Sequence, residues 1–101
     1  MRRAARVDAN QVTIVAGFRG LGASVAPTHG AGVPGFPDLV VGYRGVTCLV
    51  EVKDPDKPPS ARKLTDDQVK FHAEWRGSIS IVETMDDIIE LLAIMGGCEC
   101  N

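Results

Sequence analysis

The chain has 101 residues and 45% of them are hydrophobic, which suits one compact domain with its own core and excludes a disordered segment. A net charge of −2 and an isoelectric point near 5.6 argue against a simple basic nucleic-acid-binding module. No apolar run is long enough to span a bilayer, so the sequence predicts a soluble, intracellular protein.

In chain order, residues ~4–19 are predicted helical, with Val7, Val12, Val15 and Phe18 at helix-like spacing and Gly20 as the stop. The short run Ala23 to Ala26 is a first strand. His29 to Pro37 is a glycine- and proline-rich loop. Asp38 to Tyr43 and Val46 to Lys53 are two strands joined by the tight turn Arg44-Gly45, a β-hairpin. Residues 54–63 form a proline-broken polar loop. Thr65 to about Trp75 is a helix opened by a Thr-x-x-Gln capping box, with Asp66 and Asp67 in its first turn and Gly77 beyond its end. Ser78 to Glu83 is a strand, and Thr84 caps a last helix from Met85 to Met95. The order is therefore αβββαβα, an α/β fold with a central mixed β-sheet flanked by helices. Residues 1–101 are expected to form a single domain with its core at about 6–92.

The hairpin carries the chemistry. A two-residue turn at Arg44-Gly45 pairs Tyr43 with Val46, and counting outward sets Asp38 opposite Glu51. Side chains so placed have Cβ atoms roughly 4.5–5.5 Å apart, and two like charges there repel. A cation between them relieves that repulsion. Mg²⁺ or Mn²⁺ suits the pair, because hard cations take carboxylate and phosphate oxygens together. Lys53 lies two residues past Glu51 on the same strand face. That places an amine beside two acids, where it can orient a water or neutralise developing charge.

Gly35-Phe36-Pro37-Asp38, a spacer of twelve residues, and Glu51-Val52-Lys53 resemble the PD-(D/E)XK nuclease motif. The Leu64 to Gln68 helix start strengthens the likeness, and αβββαβ is also that superfamily's core order. More narrowly, the chain resembles a VRR-NUC (virus-type replication-repair nuclease) domain over roughly residues 6–92. The resemblance implies a restriction-endonuclease-like fold and a Mg²⁺- or Mn²⁺-dependent endodeoxyribonuclease acting on structured DNA such as branched or Holliday-type junctions. It implies Asp38, Glu51 and the backbone carbonyl of Val52 as metal ligands, Lys53 as the catalytic lysine, and Gln68 reaching the site from the following helix. It also implies a metal-binding acid on the first helix, where Asp8 stands. The family is found in phages and their hosts, and for a chain of phage origin the resemblance implies the cytoplasm of the bacterial host.

Other residues carry weaker signals. Gln68 is the N3 residue of its capping box, which by itself explains a glutamine, and the two roles are expected to be compatible only if the side chain leaves the cap. His29, in the loop before the motif, is either a phosphate contact or a solvated loop residue. Lys57, Arg62 and Lys63 are candidates for the DNA backbone, since phosphate contacts come mostly from such side chains. Residues 1–76 hold all 11 Lys and Arg, and the acidic tail end should face away from a polyanion. Cys98 and Cys100 read as terminal thiols, because a metal site needs more ligands than two. Phe71 and Trp75, four apart, are predicted core. The last helix is apolar on more than one side, which predicts burial on several sides and a homodimer. The competing reading is a domain that binds nucleic acid or a protein partner without cutting.

Overall fold

The computed structural model describes residues 9–97. Its elements are α1 (Ala9–Gly20), β1 (Ser24–Pro27), β2 (Leu39–Tyr43), β3 (Val46–Val52), α2 (Pro59–Arg62), α3 (Asp66–Glu74), β4 (Ile79–Val82) and α4 (Met85–Gly96). The four strands form one sheet in the order β1-β2-β3-β4. β1/β2 and β2/β3 are antiparallel and β3/β4 is parallel, so the sheet is mixed, as expected. Val7, Asp8, Cys98 and Cys100 lie outside the described residues.

The hairpin has the register the sequence dictates. Tyr43 pairs with Val46 and Leu39 with Val50 across the turn. Arg44 and Gly45 both take positive φ, 53° and 84°, the backbone of a two-residue turn whose twist matches the strands it joins. The alternation of side chains along β2 and β3 then divides the sheet into two faces. Leu39, Val41, Cys48, Val50 and Val52 point into the core, where they meet Ile14 and Phe18 of α1 and Ile88, Leu91, Leu92 and Met95 of α4. Glu51 and Lys53 belong to the other face, away from that core.

Three expectations need correcting. The loop at 54–63 contains a short helix, α2, which begins at Pro59 after Pro58; proline is tolerated in a first helical turn, where its missing N–H has no partner to lose. Val12 is 61% exposed, and the inward stripe of α1 runs instead through Ile14 and Phe18, one helical turn apart. Trp75 is 40% exposed and α3 contains no fully buried residue, so Phe71 and Trp75 are not core. The α4 helix packs on α1 and on three strands along one stripe, and its other apolar residues Ile89 and Ile94 remain 52% and 66% exposed, on the sides expected to meet a partner subunit. Among the described residues, no helix is long and apolar enough to cross a membrane.

Candidate active site

On the face of the sheet opposite the core, Asp38, Glu51, Val52, Lys53 and Gln68 line a cleft of about 210 Å³ together with Gln11, Asp54, Lys57 and Ala61. Three structural devices bring them together. The hairpin register aligns Asp38 with Glu51. The loop before Asp38 docks on the first turn of α3 at Gly35, which has φ 79° and sits so close that a Cβ would run into the Asp67 carbonyl. The capping box at Thr65 then fixes where α3 begins, and so where Gln68 points.

Each acid is held differently. One carboxylate oxygen of Asp38, Oδ2, accepts the backbone N–H of Val52 at 2.8 Å. Glu51 is only 2% exposed. Its Oε2 accepts from Nε2 of Gln68 at 2.8 Å, while Oε1 is buried without a hydrogen-bond partner. Burial pushes the Glu51 carboxyl up to about 8; the charge of Asp38 and a hydrogen bond between the two carboxyls add to the rise, and Lys53 opposes it. Asp38 therefore stands close enough to raise Glu51, the acid–acid opposition expected from the register.

Gln68 corrects a further expectation. Its Oε1 accepts both the Thr65 backbone N–H at 2.9 Å and Nζ of Lys53 at 2.9 Å, and its amide nitrogen donates to Glu51. The cap and the site are served at once, because an amide oxygen has two lone pairs and the nitrogen remains to donate. The side chain does not have to leave the cap.

The remaining candidates are spread more widely. Lys57 lines the cleft. Arg62, on α2, is half-buried, with Nε enclosed and unpartnered, and Lys63 is exposed just beyond it. His29 lies elsewhere: with φ 52° it lines a separate, apolar groove of about 560 Å³ between α1 and β1, formed by residues that include Val12, Val15, Arg19 and Pro27. Asn10 and Gln11 carry no signal in the sequence. Gln11 lines the cleft, and the amide of Asn10 donates to the backbone carbonyl of Lys53 at 2.7 Å, tying α1 to the end of β3. The one pointer to them is the expectation of a functional residue on the first helix, two to three positions earlier.

The described residues contain no cluster of three or more His, Cys, Asp or Glu side chains suited to a metal. Two carboxylates nevertheless match the habit of Mg²⁺, which takes one or two protein carboxylates and completes its shell with water and substrate phosphate. The unpartnered Oε1 of Glu51 is the acceptor such an ion would use, so the residues present fit a hard divalent cation.

No family model matches the chain, and no curated protein matches it either. A solved structure described as a VRR_NUC domain does: it is 28% identical, aligns over 82% of this chain and 89% of its own, and has a TM-score of 0.61. In fold and in sequence the chain is therefore similar to a VRR-NUC domain, with the restriction-endonuclease-like architecture of that nuclease family.

Proposed function

We propose that the chain is a divalent-metal-dependent endodeoxyribonuclease, selective for branched or junction-containing DNA. The observation that carries this reading is the pair of acids, Asp38 and Glu51, kept beside Lys53 and Gln68 in one polar cleft. An acid with a carboxyl raised to about 8 by burial and by a second acid is costly to keep, and such perturbed groups concentrate at functional sites. Carboxylates of Asp38 and Glu51 would hold the cation, with the Val52 carbonyl as third ligand by family likeness. Bound there, Mg²⁺ or Mn²⁺ supplies Lewis acidity toward the scissile phosphate and lowers the pKa of a water.

The chain's own residues do the rest. The Val52 N–H fixes one oxygen of Asp38, leaving the other for the cleft. Gln68 orients Glu51 through its amide nitrogen and holds the Lys53 ammonium through its oxygen. Lys53, so held, neutralises charge on the phosphate or positions the attacking water. Lys57, which lines the cleft, and Arg62 and Lys63, which follow the cleft residue Ala61 in sequence, take the backbone of the strand. The exposed apolar residues Ile81, Ile89 and Ile94 support a homodimer that presents two such sites to two strands.

The test is cleavage of labelled duplex, single-stranded, flap and four-way-junction DNA with Mg²⁺, Mn²⁺ or EDTA, for the wild type and Glu51→Ala. Metal-dependent cutting, strongest on the junction and lost in the variant, is expected. Binding without cutting under every condition would replace this reading with a non-catalytic binding module.

A further inference from the structure

We infer that Trp75 and Phe71 form a stacking platform for an unpaired base of the DNA strand that enters the cleft, which deepens the nuclease reading above and rests on it. Phe36, Phe71 and Trp75 form a three-ring stack. Phe36 meets Phe71 edge-on at 5.2 Å between centroids, and Phe71 lies nearly parallel to Trp75 at 5.3 Å. Both ends of this stack are tied to the acid cleft. Phe36 precedes Asp38 by two residues, Phe71 follows Gln68 by three residues on α3, and Trp75, seven residues after Gln68, is the C-cap of that helix. Trp75 lies roughly 10 Å along the helix axis from Gln68.

The stack serves no core. No residue of α3 is fully buried, yet the indole is held in place on one side by Phe71 and against Gly77, where a Cβ would come within 2.8 Å of Nε1. Forty per cent of Trp75 remains exposed. An ordered, exposed indole at the far end of the helix that carries Gln68 fits a flat aromatic ligand, and every base offers a π-face to such a ring. The exposed cations Lys70 and Arg76 flank the rings in sequence and suit the accompanying phosphates. Bases stacked inside continuous duplex present no free face, so the platform favours nucleotides that are unpaired or unstacked, as at a branch point.

Trp75 is the chain's single tryptophan, so its fluorescence reports on the platform alone. The experiment titrates the full chain with short oligothymidylate and with blunt duplex in EDTA, so that nothing is cut, following tryptophan emission together with the anisotropy of a labelled strand. Saturable quenching by the single strand and little by the duplex is expected. Trp75→Leu should weaken single-strand binding about fivefold or more while leaving duplex binding and the melting temperature in place, and Trp75→Phe should restore most of the loss. Unquenched emission from a sample whose anisotropy shows bound strand overturns the platform and leaves the nuclease reading standing. Equal single-strand affinity in Trp75→Leu does the same. Emission that changes with protein concentration alone assigns the rings to contact with a second copy and also overturns it. Failure to bind any DNA, with or without Mg²⁺, removes both readings together.

Discussion

Glu51 makes the protein's stability depend on pH in an unusual direction. In the unfolded chain its carboxyl has the ordinary value of 4.5, and in the fold it is raised to about 8. Below pH 4.5 the group is protonated in both states and favours neither. Between 4.5 and about 8 the unfolded chain releases the proton while the folded chain keeps it, so stability falls as pH rises through this window. The loss is about 1.4 kcal/mol per pH unit, on the order of a few kcal/mol over the whole interval. A domain of this size has roughly 5–15 kcal/mol in total, so the effect is a large part of it. Above the folded value both states are ionised and the penalty is complete.

The measurement is thermal unfolding in EDTA from pH 5 to 8.5, comparing the wild type with Glu51→Gln. The substituted amide keeps an oxygen for Gln68 Nε2 and cannot ionise. Subtracting one curve from the other removes the remaining carboxylates, which titrate in both proteins. The wild type should lose ground to the variant as pH rises, by more than about 10 °C across the range. Millimolar Mg²⁺ at pH 8 should recover much of that loss in the wild type and little in the variant, since an ion bound only to the folded state stabilises it by roughly 2.7 kcal/mol at a hundredfold excess over Kd. Parallel curves for the two proteins in EDTA would refute the claim that Glu51 is a buried, acid-paired carboxyl.

Other perturbations test neighbouring parts of the site. Asp38→Asn should raise the melting temperature in EDTA, because its side-chain oxygen still accepts the Val52 N–H while the repulsion with Glu51 is gone; a clear fall would count against the contact between the two acids. Lys53→Ala should abolish cutting while fold and DNA binding persist, as judged by cleavage and gel-shift assays on the same junction; equal cleavage by both proteins would remove Lys53 from the mechanism. Gly35→Ala should destabilise the chain by about 1–3 kcal/mol in urea and reduce cutting, since it meets a positive φ and the Asp67 carbonyl at once. Wild-type stability in that variant would mean that the loop does not dock on α3.

Legible in the sequence is whatever a short stretch of chain decides by itself. The Arg44-Gly45 turn fixes the hairpin register, and the register places Asp38 against Glu51, so a purely local rule brings together two residues 13 positions apart. The capping boxes at Thr65 and Thr84 are local in the same way and begin both helices at the positions their residue patterns dictate. The errors share the opposite cause. The spacing of Phe71 and Trp75 says that they share a helix face, but not whether another element covers it. Val12 and Ile14 both lie in an apolar run, and only packing against α4 chooses the stripe of α1 that faces inward. Asn10 reaches the carbonyls of Lys53 and Glu83, contacts 43 and 73 residues away that no local pattern encodes.

Gln68 shows why the site is more than its acids. Its one amide accepts from the helix cap and from Lys53, and donates to the acid that burial has raised most. The geometry of the cleft is therefore coupled to the start of α3. A change that frays the Thr65 cap misplaces Lys53 and Glu51 together, even with both side chains intact, and a change at Glu51 releases one of the bonds that hold the Gln68 side chain in place. Gly35 enters the same unit from the loop side, since it lets the chain approach the carbonyl of Asp67, the residue before Gln68. The cleft is thus positioned by three local structures, a turn, a cap and a glycine, each readable in the chain, whose convergence on one amide only the fold supplies.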